Sequence, residues 1–488
     1  MQTIVMTQHG RVRGEQHQGV ARFLGVPFAA SPTGPRRFAA PTPPAPWDGV
    51  RPATAFGATP PCPGYRPPVD EILYQPTVPG DDWLTVNVWT PDPGGSGLPV
   101  MVWVHGGAFV NGNAAIPMYD GHAFARDGVV LVTFNYRLGV DGFAWFPDAP
   151  SNRGLLDQIA ALEWVQANIA AFGGDPGRVT VFGESAGAMS ITSLLASPRA
   201  RGLFARAITQ SGAAQAAAAP ADAALVTAEL GRTLGREANA SSLADVPVTE
   251  LVAAQRTVSD ALTASFDPER FGPSVVASSM AFIPVVDGDV LPEHPLRALA
   301  AGASADVALL TGTTTEEYRF FLVPTGLAAA TTEPVLAAFL TSRGVPASVL
   351  EVYRAGRPDA TPGDLLAALL TDRFFRLPAL DVVSARSASR TWVYEMAWRT
   401  PHRDLGAAHA VDIPFVFDAL DATGADGLVG RGAPQRLADA MHRVWVDFAV
   451  TGRPAWRPYD PDRTVMVFDG DGSRTVSAPR DDERAAWA

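Results

Sequence analysis

Residues 183–187 read GESAG and stand between an apolar run, residues 179–182, and a helix-compatible run, residues 188–196. A serine on a sharp turn between a strand and a helix projects its hydroxyl above a sheet, at the positive end of the helix. Side chains larger than glycine at the two flanking positions would collide with the neighbouring strand and helix. The pattern predicts that Ser185 is the nucleophile of an acyl-transfer site.

A second motif, HGGAF at residues 105–109, ends another apolar run, residues 98–105. Small residues leave backbone N–H groups exposed to a carbonyl oxygen, and the N–H of Ala186 adds a further donor, so this loop predicts an oxyanion hole. His105 precedes the serine. Because sites built on this serine motif run in the order serine, acid, histidine, His105 is interpreted as structural.

The chain contains eight histidines, of which four follow the serine: His294, His402, His409 and His442. His402 and His409 both come after the apolar run 391–397, and spacing alone does not separate them. Glu316 and Glu317 come after the run 306–310 and are the candidates for the acid. A histidine held by a carboxylate is the usual partner of a nucleophilic serine.

Short apolar runs rich in β-branched residues recur along the chain and predict buried parallel strands at 98–105, 129–135, 179–182, 306–310, 391–397 and 465–469. Residues 155–170 carry apolar positions at helical spacing, and alanine-rich stretches at 213–230 and 297–308 are interpreted as helices or as surface that flanks helices. The alternation predicts an α/β fold with a large, mostly parallel sheet and helices on both faces. Residues 1–90 are Pro/Gly-rich and predict antiparallel edge strands, within a single domain spanning residues 1–488.

The composition excludes several classes of function. The net charge is −12, and every basic residue is an arginine. A net-acidic chain lacks the basic surface of a nucleic-acid binder, and without lysine there is no phosphate-loop lysine, Schiff base or Ser–Lys dyad. Cys62 is the single cysteine, so neither an intrachain disulfide nor a cysteine zinc site is expected. With no signal peptide and no apolar run of about 18 residues, we expect no membrane span and a cytoplasmic location.

Motifs spread over nearly the whole chain resemble those of the type-B carboxylesterases, the family that includes cholinesterases and bacterial para-nitrobenzyl esterases. They lie at residues 10–14, 23–29, 37–38, 47–50, 82–91, 135–139, 152–158, 168–176, 181–188, 210–212, 284–288 and 445–454. The resemblance implies an α/β-hydrolase fold and a serine carboxylesterase that hydrolyses small carboxylic esters through an acyl-enzyme. It implies no metal and no organic cofactor.

The resemblance also resolves the open assignments. GTTTEE at residues 312–317 is similar to the acid motif of the family and implies Glu317 as the triad acid. HAVDIPFVF at residues 409–417 is similar to its histidine motif and implies His409. The implied oxyanion donors are the N–H groups of Gly107, Ala108 and Ala186, and Gly106 is expected to shape the loop at the substrate.

Further expectations are more local. We expect Phe109, Phe320 and Phe321 near the substrate, and Glu184 either to tune the field at the nucleophile or to hold a structural hydrogen bond. The resemblance implies two structural ion pairs that hold loops, Arg37 with Asp81 and Arg137 with Asp157.

Departures from the family pattern bear on the source and the substrate. Trp83 stands where the family usually has a cysteine, which implies a bacterial-like, cytoplasmic member. We separately expect a monomer or a homodimer. No choline-type tryptophan arrangement is recognisable, which disfavours a quaternary-ammonium substrate. Two alternatives remain at this point: an adhesion or scaffold protein with a decayed triad, and a hydrolase of amides, carbamates or lactones.

Overall fold

The computed structural model describes residues 2–386 and 390–487. Within these residues, thirteen strands form one sheet. The strands are β1 Gln2–Thr7, β2 Gly10–His17, β3 Val20–Pro27, β4 Val50–Pro52, β5 Thr85–Thr90, β6 Leu98–Val104, β7 Val130–Phe134, β8 Gly174–Glu184, β9 Arg206–Gln210, β10 Ala308–Thr314, β11 Thr391–Met396, β12 Thr464–Phe468 and β13 Arg474–Ser477.

Along the chain, helices lie between the strands and after the last strand. The α-helices are α1 His122–Arg126, α2 Gly139–Phe143, α3 Arg153–Asn168, α4 Ala186–Ala196, α5 Pro220–Leu234, α6 Ala240–Leu243, α7 Val248–Ser265, α8 Pro268–Phe271, α9 Pro273–Ser278, α10 Pro295–Ala300, α11 Arg319–Leu322, α12 Leu327–Ala330, α13 Glu333–Ser342, α14 Ala347–Gly356, α15 Pro362–Thr371, α16 Leu377–Ala385, α17 Ile413–Val416, α18 Ala425–Val429, α19 Gln435–Thr451 and α20 Asp481–Ala486. Short 3₁₀ turns span Gly34–Arg36, Val69–Glu71, Pro117–Tyr119, Ile169–Phe172, Pro198–Ala200 and His402–Asp404, and Asp372–Arg376 forms a π-helical turn.

The sheet order is β1-β2-β3-β5-β7-β6-β8-β9-β10-β11-β12-β13, with β4 paired to β2. The strands from β7 to β12 in that order are all parallel, whereas β1, β2, β3 and β5 pair antiparallel with their neighbours along that order at one edge and β13 at the other. The mostly parallel sheet with an antiparallel N-terminal edge is therefore confirmed. Each of the six predicted strands is present, with ends shifted by up to five residues. The sequence analysis missed β9, a short central strand.

Consecutive residues of the central strands point to two different cores. In β6, Val100, Val102 and Val104 pack in one cluster with the α3 residue Leu155, while Met101 and Trp103 pack in the other. That second cluster contains the inner face of α19. This alternation follows from the two-residue repeat of a strand, and it confirms helices on both faces of the sheet.

One of the two predicted structural ion pairs is present. Arg137 and Asp157 lie 2.7 Å apart, with their side chains 1% and 0% exposed. The guanidinium also donates to the backbone oxygen of Ala39, so the pair joins the N-terminal segment to α3. The pairing of Arg37 with Asp81 is wrong.

Arg37 instead lies 3.0 Å from Asp141 on α2 and donates to the backbone oxygen of Val246. The sequence supplies the arginine and several acids but does not specify which of these acids the long Arg37 side chain reaches in the fold. Asp81 uses its backbone oxygen to accept from Ser31.

Replacing Arg137 with methionine leaves the Asp157 carboxylate buried without its counter-charge, and we expect the free energy of unfolding to fall by about 3–5 kcal/mol. Arg66→Met breaks an ion pair with Asp260 whose two side chains are each 55% exposed, and this control should cost less than about 1 kcal/mol. Chemical denaturation of both variants measures the difference. Equal effects of the two substitutions would contradict the assignment of Arg137–Asp157 as a buried structural pair.

Candidate active site

The candidate nucleophile lies where β8 ends at Glu184 and α4 begins at Ala186. Ser185 adopts φ 54° and ψ −123°, a conformation that costs a residue with a side chain of order 1–3 kcal/mol. Its N–H donates to the backbone oxygen of Gln210 at 2.9 Å, and its own carbonyl accepts from Met189 at 2.9 Å. The strained turn is thus fixed on both sides, as expected of a sharp strand-to-helix nucleophile turn.

Close approach of the backbone explains the second glycine of the motif. A Cβ atom on Gly187 would lie 2.0 Å from the carbonyl oxygen of Val104 at the end of β6. No side chain tolerates that distance, so α4 can start this close to the sheet only with glycine at this position. The contact also brings the loop after β6 next to the serine.

His105 shapes that loop from inside the protein. Its Nδ1 lies 2.9 Å from the carbonyl oxygen of Gly106, and its ring stacks on Tyr136 with 4.4 Å between centroids. Burial lowers the pKa of His105 to about 4, so the imidazole is neutral near pH 7. The structural interpretation of His105 agrees with these contacts.

The predicted oxyanion donors lie beside Ser185. Gly106, Gly107 and Ala108 line the same cavity as the serine, and Ala186 occupies the first turn of α4. Within residues 2–386 and 390–487, the N–H groups of Gly107 and Ala108 have no hydrogen-bond acceptor. Two unpaired donors beside a half-buried serine are available to a ligand oxygen.

The structure corrects the placement of Phe109. This side chain is fully buried and packs edge-to-face against Phe143, with 4.8 Å between ring centroids. It lies outside the cavity that contains Ser185. The backbone has φ 53° at Ala108 and φ 61° at Phe109, and this turn directs the ring into the core instead of toward a ligand.

The candidate acid and base lie in contact. Glu317 is fully buried, and its Oε2 lies 2.6 Å from Nδ1 of His409 while its Oε1 accepts from the N–H of Thr314 at 2.8 Å. The loop after β10 carries the glutamate, and the loop after β11 carries the histidine. His402 does not reach this site, and the side chain of Glu316 accepts from the backbone of Ala407 instead.

Glu184 contacts the other side of the same imidazole. Its Oε1 lies 3.0 Å from Nε2 of His409, and in the described chain Ser185 Oγ forms no hydrogen bond to that ring. Burial would lower the pKa of His409, but the charges of Glu184 and Glu317 outweigh it and raise this pKa above its ordinary value. Burial raises the pKa of Glu184, and its contact with His409 opposes that rise. The imidazole therefore lies between two carboxylates.

A polar network beneath the turn was missed by the sequence analysis. Asp412 Oδ2 accepts from Gln210 Nε2 at 2.9 Å and from the Tyr394 hydroxyl at 3.2 Å, and Trp445 donates to Gln210 Oε1 at 3.0 Å. Burial raises the pKa of Asp412 to about 7. The network holds Gln210, whose backbone oxygen accepts a hydrogen bond from the N–H of Ser185. Asp412 lies in the histidine motif and Gln210 in the motif at 210–212, so the motifs indicated the positions but not the contact.

Ser185 and His409 open into a cavity of about 360 Å³. Aromatic rings form one wall and pack on the imidazole: the centroids of Phe375, Phe321 and Phe320 lie 4.8, 5.4 and 6.0 Å from that of His409. The two predicted phenylalanines are thus at the cavity, joined by Phe375 from the π-helical turn. Tyr65 and Tyr119 line the cavity as well.

The charged and metal-binding possibilities of the site are few. Among the described lining residues, the Glu184 side chain is the one carboxyl group and the His409 side chain is the one imidazole. Neither arginine nor aspartate is present in that lining. Across residues 2–386 and 390–487, no group of three or more His, Cys, Asp or Glu side chains is placed to hold a metal ion. No helix in the described chain is both long and apolar enough to cross a membrane. The arrangement supports nucleophilic acyl transfer carried by side chains and backbone N–H groups.

Comparisons with known proteins agree with this chemistry. Residues 1–475 match the model of the Carboxylesterase family. The chain is 37% identical to a para-nitrobenzyl esterase of Bacillus subtilis over 486 residues, covering 96% of this chain and 95% of that protein. It is 37% identical to a fumonisin B1 esterase of Sphingopyxis macrogoltabida over 497 residues, covering 95% and 85%. The crystal structure of a carboxylesterase of Geobacillus stearothermophilus aligns with a TM-score of 0.85 at 36% identity, covering all of both chains.

Glu184→Gln removes a negative charge 3.0 Å from Nε2 of His409. Because an adjacent negative charge favours the imidazolium, the pKa of His409 should fall by about 1–3 pH units. Histidine NMR titration measures this pKa, with His409→Gln assigning the resonance. Glu163→Gln, on the exposed side of α3, should leave the pKa of His409 unchanged. An unchanged pKa in Glu184→Gln would mean that the carboxylate does not act on the ring.

Proposed function

The chain belongs to the carboxylesterase family, and we propose that Ser185, His409 and Glu317 form the catalytic triad through which it hydrolyses carboxylic esters. The protein is a carboxylic ester hydrolase with the α/β-hydrolase fold. The observation that carries the residue assignment is the 2.6 Å contact between Glu317 and His409 at the cavity that contains the strained Ser185. Gly107, Ala108 and Ala186 supply the oxyanion donors.

In the first half-reaction, Ser185 Oγ attacks the ester carbonyl carbon and its proton moves to Nε2 of His409. Glu317 keeps the other ring proton on Nδ1 and stabilises the imidazolium. Collapse of the tetrahedral intermediate breaks the bond to the alcohol, which leaves with the proton from Nε2. The acyl group stays on Ser185.

In the second half-reaction, water attacks the acyl-enzyme and gives its proton to Nε2. A second tetrahedral intermediate forms, with a hydroxyl from water in place of the alcohol. Its collapse breaks the bond to Ser185 Oγ, the carboxylic acid leaves, and Ser185 recovers its proton from His409. The donors of residues 107, 108 and 186 bind the oxyanion in both halves, and loss of one such donor typically costs about 10²–10³ in rate.

Glu184 adds a second carboxylate that contacts the triad histidine, at Nε2. Nε2 must be neutral and directed at Ser185 Oγ to act as a base, so its contact with Glu184 has to loosen when substrate binds. After proton transfer, the Glu184 carboxylate is close enough to stabilise the imidazolium.

We infer an uncharged ester with apolar or aromatic groups as the substrate class. The cavity wall formed by Phe320, Phe321 and Phe375 offers apolar contact, and the described lining carries no arginine to balance a carboxylate. An anionic substrate would lose hydration without a partner beside the negative Glu184. A bacterial source, a cytoplasmic location and a monomeric or homodimeric state stay predictions from the sequence.

The names of the relatives do not narrow the class further. A para-nitrobenzyl esterase and a fumonisin B1 esterase are each 37% identical to this chain. Two relatives that are equally similar to this chain are therefore named for different substrates. Relatives can share the acyl-transfer residues and still differ in specificity, because specificity depends on the shape of the pocket.

The test compares p-nitrophenyl butyrate with mono-p-nitrophenyl succinate, an ester of similar length that carries a carboxylate. We expect kcat/KM for the charged ester to be at least about 10-fold lower, because its carboxylate is desolvated without a counter-charge. Ser185→Ala should lower kcat on the neutral ester by at least about 10⁴-fold. Release of p-nitrophenolate measures both.

Ser31→Ala, at a serine outside the cavity, is the matched control and should keep the wild-type rate. Turnover that survives in Ser185→Ala would overturn the assignment of the nucleophile. Equal turnover of the two esters would overturn the substrate class and leave the triad standing.

A further inference from the structure

Two loops bring the acid and the base together. The acid loop, residues 315–319, follows β10 and carries Glu317. The histidine loop, residues 400–412, follows β11 and carries His409. Backbone bonds join them where Glu316 donates to Ala407 at 2.9 Å and His409 donates to Glu317 at 3.2 Å. The geometry of the triad therefore depends on how the histidine loop is held.

The histidine loop is strained. Arg403, Asp404 and Ala410 have φ of 53°, 54° and 67°, in the left-handed region that residues with side chains seldom adopt. Such conformations persist when surrounding contacts over-determine them. Asp404 is itself 82% exposed, so the packing of its own side chain does not supply the restraint.

Arg319 supplies contacts of the required kind. Its side chain is 7% exposed, and it reaches across from the acid loop into the histidine loop. Nε donates to the backbone oxygen of Leu405 at 3.2 Å, and Nη2 donates to the backbone oxygen of Asp404 at 2.5 Å and lies 2.8 Å from its carboxylate. Nη1 donates to Asp364 of α15 at 2.5 Å. One guanidinium thus binds two consecutive carbonyls of the strained segment.

Glu316 completes the connection from the same loop. Its Oε2 accepts from the N–H of Ala407 at 2.9 Å. Between the two held segments lies Gly406, at φ 68°, and a Cβ there would lie 2.5 Å from Glu316 Oε2 and 3.1 Å from Arg319 Nε. The histidine loop can therefore approach both side chains only because residue 406 is glycine.

We propose that Arg319 is a positioning residue for the triad, which holds the histidine loop so that His409 meets Glu317 and Ser185. This proposal rests on the proposed function. Arg319 lies two residues after Glu317, so the acid and the side chain that fixes its partner move as one unit. Arg319 does not itself line the cavity that contains the serine, and its effect on the reaction passes through the carbonyls of Asp404 and Leu405.

The test uses Arg319→Lys and Arg319→Met, with activity expressed per active site titrated by a fluorophosphonate. Because a misplacement of about 1 Å can cost 10²-fold in rate, kcat should fall by about 10–100-fold while KM changes little. Lysine keeps the charge but not the planar fork, so it should not restore the rate. Weaker contact of His409 with Glu317 should also move the acid limb of the kcat profile to lower pH.

Chemical rescue separates positioning from folding. A cleft of about 400 Å³ lies beside Arg319 and admits a small cation, so guanidinium at millimolar concentration should restore part of the kcat of Arg319→Ala. Arg357 lines the same cleft and pairs with Glu483, and within the described chain it forms no ion pair or hydrogen bond with the histidine loop. Arg357→Met should keep the wild-type kcat and pH profile, and Arg357→Ala should not respond to guanidinium.

Wild-type kcat in Arg319→Met, or a loss of kcat with an unchanged pH profile and no rescue, would overturn the proposal. Ser185→Ala is assayed in the same series. If it retains turnover, the proposed function is wrong whatever Arg319 does. If it is inactive while the Arg319 variants match Arg357→Met, the positioning role alone fails.

Discussion

Two buried carboxylates contact one imidazole, and much of the site depends on that arrangement. Glu317 lies 2.6 Å from Nδ1 of His409, and Glu184 lies 3.0 Å from Nε2. The first contact sets the tautomer and orientation that a general base needs. The second competes with Ser185 for Nε2, so the protonation of Glu184 and the position of His409 together decide whether the base is available. Burial of all three groups makes each charge count for more than it would in water.

The sheet brings these groups together by simple topology. β8, β9, β10 and β11 are adjacent and parallel, so their carboxyl ends meet at one edge. Ser185 follows β8, Glu317 follows β10 and His409 follows β11, while Gln210 at the end of β9 binds the backbone of Ser185. Ligand sites in open α/β sheets lie at the carboxyl ends of the strands for this reason. The strained conformations at Ser185 and in the histidine loop are held by contacts between neighbouring strands and loops.

Much of this was predictable from the sequence. The serine turn, the glycine-rich loop and the central strands have local signatures, since a buried parallel strand and a strand–turn–helix each constrain residue types over a few positions. Contacts between distant side chains have no such signature. The fold could bring any of several acidic side chains near Arg37, and this arginine pairs with Asp141 instead of the expected Asp81. Ala108 and Phe109 both have positive φ, and this turn places the Phe109 ring in the core, whereas Phe375 reaches the cavity from a π-helical turn that no sequence periodicity indicates.

The most direct test of the triad is the site of covalent labelling by a fluorophosphonate, read by mass spectrometry of the digested protein. A fluorophosphonate reacts with an activated serine and with few others. We expect one adduct, on the peptide that contains Ser185, and much slower labelling in His409→Gln. Labelling of a different serine, or equal labelling of native and denatured protein, would contradict it.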